Sequence, residues 1–426
     1  MKKDSQKDHR KAVNEGRLGY KHSSLGWIPI DWEAFELGEV TKKIMVGIAT
    51  ESRTSVREIG VPFIRNQNIK SGHFDDQEII YISKEFDLLN KNKRLKAGDV
   101  IIVRTGSNVG QACVVPSKFE NAQTFTTLIV RPSEKLDSNY LSLHINSFGI
   151  REVERLSAGG GKPNLNAGFL ESYRILLPPM SEQRKIESIL SVWDSAIAKS
   201  NQLIEQLKRR NKGLMQELLT PKKEWHKHRI GDLLKTVKRP VDWNDEELYK
   251  LISVRRRSGG AFFREALYGK QILTKQLYSA REGDFLISKM QIVHGASAVV
   301  PAELSGMKIS GSYISLHSKD ENLLDISFFN WLSKTRWFYR MAYISSYGVH
   351  IEKMTFDFED FKRRFIVIPS SVKEQKRIDN ILALAKTEVD ILEQRLAKLE
   401  SQKKGLMQKL LTGEFRMSIK ESINIF

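Results

Sequence analysis

The chain has 426 residues, enough for two or three domains. It carries 69 basic and 51 acidic residues, a formal net charge of +18, which points to a polyanionic partner. No apolar run approaches the roughly 18 residues of a membrane-spanning helix, so we expect no membrane partner. The N-terminus lacks the apolar core of a signal peptide, and the single cysteine excludes an intrachain disulfide, so we expect a cytoplasmic protein.

A charged, flexible segment (1–24) precedes a first predicted domain (25–179). In this domain, β-branched residues between Gly and Pro predict a series of strands. The predicted strands are 62–65, 79–82, 99–104, 112–115, 126–131 and 173–177, with a helix near 138–156. Cys113 lies inside one of these apolar runs, and we expect it to be buried rather than reactive.

A long helix (180–220) follows, and it recurs as a second long helix (370–413). Glu182-Gln183 matches Glu374-Gln375 at an offset of 192 residues (374 − 182), without a gap. Stepping by four and three residues from Ile186, and likewise from Ile378, selects apolar side chains almost throughout, which is typical of a coiled-coil seam. The polar exceptions, Asn211 and Lys403, fall at the same repeat position, so we interpret them as register-setting residues.

The segment between the helices (221–369) repeats the first domain, since 96–116 aligns with 281–301 at an offset of 185. If this segment is compact, the two helices run antiparallel, each as a rod of roughly 58 Å. The predicted fold is therefore α+β. Two similar globular domains are separated by two long antiparallel coiled-coil helices with pseudo-twofold symmetry, and a C-terminal tail (414–426) follows.

We find no pattern typical of catalysis, a metal or a cofactor. The Gly-rich stretch 159–162 lacks the spacing of a phosphate-binding loop, and Pro163 follows Lys162 where that loop needs Ser or Thr. The histidines are scattered, and carboxylates do not cluster beside a lysine. Asp99 and Asp284 each follow a glycine at equivalent repeat positions, so we expect them to close turns.

Polar and basic turns recur after equivalent strands, and they offer side chains suited to phosphates and base edges. Any one of these residues could equally be solvated surface charge, but the set recurs in both domains. The candidate DNA-binding residues of the first domain are Arg65, Asn66, Gln67, Asn68, Lys70, Arg104, Thr105, Ser107, Asn108, Gly160, Lys162 and Asn164. Those of the second domain are Arg255, Arg256, Arg257, Lys289, Gln291, Tyr347 and His350.

The chain resembles the specificity subunit of type I restriction–modification systems over nearly its whole length. The residues that carry the resemblance are the two helix starts, the two helix ends and the opening segment, at 177–186, 368–378, 213–216, 405–408 and 26–32. The second domain departs from the first, because it lacks the Gly-Gly-Gly-Lys-x-Asn loop, which leaves its DNA-facing residues less defined.

The resemblance implies that each domain is a target-recognition domain reading one half of a bipartite site in double-stranded DNA. It implies that the helix pair sets the spacer and docks two methyltransferase subunits, which motor-nuclease restriction subunits then join. Catalysis would belong to those partners. Two other classes were weighed. A self-contained nuclease or methyltransferase needs a catalytic constellation, and a basic scaffold would bind all DNA sequences equally with a steep salt dependence.

Overall fold

The computed structural model describes residues 18–50, 53–149 and 165–417. The chain forms two compact units. Unit 1 takes its described residues from 1–200 and 395–426, and unit 2 comprises 201–394. Each unit therefore contains one globular domain, part of the first long helix and part of the second.

The helices of the described residues are mostly short, with two exceptions of 40 residues each. They are α1 (Lys84–Leu89), α2 (Ser138–His144), α3 (Ala167–Glu171), α4 (Met180–Leu219), α5 (Ile230–Leu233), α6 (Ile326–Leu332), α7 (Arg336–Ile344), α8 (Phe358–Lys362) and α9 (Val372–Leu411). The long helices α4 and α9 begin and end 192 residues apart (372 − 180 and 411 − 219), which is the offset of the sequence repeat.

Unit 1 is built on two four-stranded sheets and three two-stranded ribbons. Its strands are β1 (Tyr20–Ser23), β2 (Gly26–Pro29), β3 (Glu33–Glu36), β4 (Thr41–Val46), β5 (Val56–Arg57), β6 (Val61–Ile64), β7 (Ile69–Lys70), β8 (His73–Phe74), β9 (Ile80–Ile82), β10 (Val100–Ile102), β11 (Ala112–Val114), β12 (Gln123–Thr124), β13 (Leu128–Pro132) and β14 (Arg174–Leu177). The sheets have the orders β11-β10-β13-β4 and β12-β6-β9-β5, and the ribbons are β1-β2, β3-β14 and β7-β8.

Unit 2 also has two four-stranded sheets. Its strands are β15 (His226–Arg229), β16 (Leu234–Thr236), β17 (Leu248–Val254), β18 (Ala261–Tyr268), β19 (Leu277–Ser279), β20 (Phe285–Ser288), β21 (Ser297–Val299), β22 (Lys308–Ser310), β23 (Tyr313–Ser318), β24 (Ser346–Tyr347), β25 (Thr355–Phe356) and β26 (Phe365–Ile368). The sheets have the orders β16-β23-β20-β21 and β18-β17-β22-β19, and the ribbons are β15-β26 and β24-β25.

The two domains share one strand register at their centre. Val100 pairs with Val114 in unit 1, and Phe285 pairs with Val299 in unit 2, both at the predicted offset of 185. In each unit the second sheet has one parallel pair, β6 with β12 and β17 with β22. The strands predicted in the first domain are confirmed within a residue or two at most ends. Helix α2 ends earlier than predicted, and one π-helical turn follows it at Ile145–Gly149.

The long helices pack in opposite directions inside each unit. In unit 1, Ile186 and Leu190 of α4 share a core with Leu410 of α9. In unit 2, Ile378 and Leu382 of α9 share a core with Leu219 of α4. The beginning of each helix thus packs on the end of the other. Every seam position that the heptad pattern selects is buried or half-buried, because its period places all of them on one face.

The Glu-Gln pair at each helix start anchors the helix to its globular domain. Gln183 is fully buried, accepts a hydrogen bond from the backbone N–H of Asp137 at 2.8 Å and donates to the carbonyl of Lys135 at 2.8 Å. Gln375 repeats this with Asp325 at 2.8 Å and Leu323 at 2.9 Å. The repeated Gln therefore fixes where each domain leaves its helix. Among the described helices, none is long and apolar enough to cross a membrane.

Candidate nucleic-acid interface

The first candidate turn in unit 1 follows β6. Its backbone coils into a short 3₁₀ turn over Asn66–Asn68. Asn68 is only 1% exposed; its Oδ1 accepts from the N–H of Arg65 at 3.0 Å, and its Nδ2 donates to the carbonyls of Asp75 and Gln77. Its hydrogen-bonding groups are used inside the turn. Asn68 therefore shapes this turn, and we remove it from the set of side chains that can reach a ligand.

The second candidate turn follows β10 and lies beside the first. The Asn66 Nδ2 donates to the carbonyl of Thr105 at 3.3 Å, which joins the two turns. The Nε of Arg104 donates to the carbonyl of Leu165 at 3.0 Å, so its guanidinium is held at the base of the turn. Thr105, Ser107 and Asn108 are exposed. The structure thus brings together residues that are about 40 positions apart in sequence.

Glu78 organises the cationic side chains on this face. The Nη2 of Arg65 donates to the Glu78 carbonyl at 2.8 Å, and the Nε2 of Gln67 donates to the Glu78 carboxylate at 3.1 Å. The half-buried Arg65 leaves its Nε without a protein partner, whereas Lys70 is exposed. Two potential base-reading side chains are therefore held in place by one acidic residue before any ligand arrives.

In unit 2 the arginine turn follows β17. The Arg255 guanidinium lies 4.1 Å from the Phe262 ring centroid, a cation–π contact. Arg256 makes an ion pair of 2.8 Å with Glu352, and the N–H of Arg257 donates to the carbonyl of His294 at 2.7 Å. All three arginines are exposed. Each contact comes from a different segment, so the turn is braced from three sides.

The other candidates of unit 2 surround this turn. Lys289 is half-buried, and its Nζ donates to the carbonyl of Gly311 at 2.8 Å. The carbonyl of Lys289 accepts from Phe356 on β25, which pairs with the strand that carries Tyr347. Tyr347 and His350 are exposed, and a hydrogen bond to Asp357 raises the pKa of Tyr347. Gln291 is half-buried with an unpaired Oε1.

The candidate turns occupy the same place in the two domains. The N–H of Val103 donates to the carbonyl of Gln111 at 2.8 Å, and the N–H of Ser288 donates to the carbonyl of Ala296 at 3.0 Å, both offset by 185 residues. One hairpin frame therefore presents Arg104–Asn108 in unit 1 and Lys289–Gln291 in unit 2. Gly160, Lys162 and Asn164 lie outside the described residues.

Three residues of these faces escaped the sequence reasoning: Glu78, Glu352 and Phe262. The search for DNA contacts favoured cations and amides, and so it passed over the acids that position them. Phe262, however, belongs to the strand directly after the arginine turn. An aromatic residue at that spacing is a signal that could have been used.

The two buried aspartates close turns, as predicted. Asp99 accepts from the N–H of Lys96 and Asp284 from the N–H of Arg281, each at 2.8 Å. Each also pairs with an arginine: Arg131 at 2.7 Å for Asp99 and Arg239 at 2.6 Å for Asp284. Both carboxylates are thus fully engaged in structural contacts.

Other reactive side chains are held inert by burial. Cys113 is buried, as predicted, and burial raises its thiol pKa to about 12. Burial lowers the pKa of His144 to about 3, so its imidazole is neutral and contacts only Tyr173 through Nδ1. No group of three or more His, Cys, Asp or Glu side chains able to hold a metal occurs within the part of the chain that the structure describes.

Two basic faces on a shared β-hairpin frame, without a catalytic cluster in the described residues, define a non-catalytic recognition protein. The family model described as "Type I restriction modification DNA specificity domain" matches residues 29–209. The chain belongs to the specificity subunits of type I restriction–modification systems. Recognition of DNA sequence is the role of this family, and methylation and cleavage are carried by other subunits.

Relatives and solved structures agree with this assignment. The putative type I restriction enzyme MjaX specificity subunit of Methanocaldococcus jannaschii is 25% identical over 93% of this chain and 97% of its own length. The EcoKI specificity subunit of Escherichia coli is 24% identical over 43% of this chain and 42% of its own. The S subunit of a type I system from M. genitalium has a TM-score of 0.56 at 13% identity, covering 91% of this chain and 97% of that one. A chain from a structural study of type I restriction–modification complex assembly also gives 0.56, at 18% identity over 91% and 99%.

Proposed function

We propose that each globular domain reads one half of a bipartite DNA site and that the chain has no catalytic activity of its own. The observation that carries this proposal is the recurrence of basic turns at equivalent ends of the β10–β11 and β20–β21 hairpins. A common frame with different side chains suits two half-sites of different sequence. We place this activity in the cytoplasm, where the DNA partner lies.

In this proposal, side chains divide into two roles. Arg65, Gln67 and Arg255 are held by neighbouring groups, and such pre-ordered donors suit base edges in the major groove. Lys70 and Arg257 have exposed side chains and suit phosphates, which position the protein without reading sequence. The net charge of +18 supplies the long-range attraction.

The proposal assigns the long helices two tasks: setting the spacer between half-sites and docking two methyltransferase subunits. A 40-residue helix is about 60 Å long, which bounds the spacer at roughly 17 base pairs. Val192 is 66% exposed and Leu384 71%, and they occupy the same repeat position. Two apolar side chains left in water at matched positions suit two copies of one partner helix. Motor-nuclease subunits would complete the complex.

The experiment that tests the proposal is the adenine methylation map of the native host, with and without this gene. A bipartite motif that disappears on deletion supports recognition by this chain and gives both half-sites. An unchanged map in cells that express the chain and its methyltransferase contradicts the proposal and favours a nonspecific basic scaffold. Nicking or methylation by the purified chain alone would instead revive the self-contained enzyme.

Inserting one helical turn into both α4 and α9 tests the ruler. We expect a longer spacer with both half-site sequences unchanged, because the reading turns are far from the insertion in sequence. A changed half-site sequence contradicts the separation of measuring and reading.

A further inference from the structure

Each unit contains an apolar cleft, and the two clefts are related by the repeat. The cleft of unit 1 has a volume of about 610 Å³ and is lined by Leu411, Thr412, Arg174 and Leu176, among others. The cleft of unit 2 has about 640 Å³ and is lined by Leu219, Thr220, Phe365 and Val367. The helix residues differ by 192 positions (411 − 219) and the strand residues by 191 (365 − 174). Matching walls thus recur in both units.

The third wall of each cleft also corresponds. In unit 1 it comes from His144 and Phe148 at the end of α2, and in unit 2 from Leu332 and Arg336 after the equivalent helix α6. Both helices begin after a capping aspartate, Asp137 and Asp325, 188 residues apart (325 − 137). The wall residues keep this offset, since 332 − 144 and 336 − 148 are also 188. The same three elements therefore build both clefts.

The side chains of the clefts differ more than their positions. Where one cleft has His144 and Phe148, the other has Leu332 and Arg336, so a small molecule that needs fixed polar contacts would not be held alike in both. An apolar helix face tolerates such differences, because it docks through a few side chains spaced one turn apart. A segment of protein is consequently the ligand class that suits both clefts.

Charge selects the partner further. None of the described residues lining either cleft is acidic, whereas Arg174 borders the first and Lys212, Lys334 and Arg336 border the second. Lys334 lies 3.7 Å from the ring centroid of Trp331, and burial lowers its pKa to about 8. A carboxylate entering beside it would restore a favourable pairing. A second copy of this chain is disfavoured, since each copy carries a charge of +18.

We propose that the two clefts are equivalent docking sites for an amphipathic helix with acidic residues at its edge, one from each of two copies of the same partner chain. This inference rests on the proposed function, which identifies the partner as the methyltransferase subunit. It assigns the partner a second contact, in addition to the exposed faces of the long helices, at the junction of helix end and last strand.

The test is the number of methyltransferase subunits that the purified full-length chain binds, counted by native mass spectrometry. Arg174→Glu and Arg336→Glu reverse exposed charges at one cleft each, so both variants should fold. We expect each single variant to weaken one of the two sites by roughly tenfold or more, leaving one tightly bound copy, and the double variant to weaken both. Lys96→Glu and Arg281→Glu are matched controls, because they make the same charge change at exposed, repeat-equivalent positions outside the clefts.

Binding of the specific DNA site by every variant provides the second readout. If both cleft variants still take two copies at unchanged affinity while the chain reads its DNA site, the docking inference is overturned and the proposed function stands. If the control variants lose subunits as the cleft variants do, general charge rather than the clefts governs assembly, and the inference is likewise overturned. If the unsubstituted chain binds its DNA site but no methyltransferase, both the docking inference and the partner part of the proposed function fail.

Discussion

The indole Nε1 of Trp32 donates a hydrogen bond of 2.9 Å to Oε2 of Glu182, and both residues are buried. The carboxylate also accepts from Arg416, at 2.9 Å from Nε and 3.0 Å from Nη2. Trp225 and Glu374 repeat the pair at 3.3 Å in unit 2. The tryptophan of the docking segment thus holds the first turn of each long helix.

Trp32→Phe should lower the free energy of unfolding of unit 1 by about 1–3 kcal/mol, because it leaves a buried carboxylate one donor short. Trp225→Phe should cost unit 2 less, since its hydrogen bond is longer and the Glu374 side chain is 33% exposed to water. Urea denaturation of both variants gives the comparison. Equal losses would show that lost ring volume, rather than the hydrogen bond, sets the cost.

The repeat could be predicted from sequence because burial on a helix follows a fixed period, as the seam from Ile186 to Leu218 shows. Contacts between distant segments could not. Asn68 looks like surface in a polar run, yet it is buried by carbonyls of a later turn. Arg256 meets Glu352 across 96 residues, and no local pattern connects them. The clefts too depend on three elements that only the fold brings together.

The polar seam residues should set the register of the long helices. Asn211 Nδ2 donates to the carbonyl of Ala385 at 2.6 Å, and Lys403 Nζ lies 2.5 Å from Asp194. Replacing both Asn211 and Lys403 by Leu should not reduce the free energy of unfolding, but it should allow more than one register.

Spin labels at Ser191 and Ser401, which are exposed residues of unit 1, measure that register through their distance distribution. We expect one distance in the parent and several in the doubly substituted chain. Lys404→Leu is the control, because Lys404 is exposed beside the seam. A single unchanged distance in the doubly substituted chain would falsify the register role.

Single substitutions should relax single half-sites. Arg65→Ala or Arg104→Ala should cost roughly 1–3 kcal/mol of discrimination in the half-site read by unit 1 and leave the other unchanged. Arg255→Ala should do the same for unit 2. Binding to a library of randomised half-sites at fixed salt measures both effects. Uniform weakening across all sequences would make these arginines phosphate contacts instead.

Acid should destabilise unit 1 through His144. Its pKa falls from 6.5 to about 3 on burial, so the unfolded chain takes up a proton below pH 6.5 that the folded chain excludes. Stability is therefore complete above pH 6.5 and declines as the pH falls toward 3. The slope is about 1.4 kcal/mol per pH unit, or about 2 kcal/mol between pH 6.5 and 5.

His144→Gln cannot take up that proton, so its unfolding free energy should fall less between pH 7 and 5 than that of the parent. Urea denaturation across this range measures the difference. The exposed His22→Gln is the control and should follow the parent. Parallel curves for His144→Gln and the parent would place the acid sensitivity elsewhere.

The two turn-closing aspartates have the same role but different arginine partners. Arg131 belongs to β13, whereas Arg239 follows β16, so the basic residue arrives from a different part of each domain. A hybrid domain that joined the Asp99 hairpin to the remaining strands of unit 2 would lose Arg131 and leave a buried carboxylate without its arginine. Recombination between the two halves of such a gene is therefore tolerated for entire domains and penalised within them. New specificities then arise by exchange of complete reading domains, while the helix starts supply the common seam for joining them.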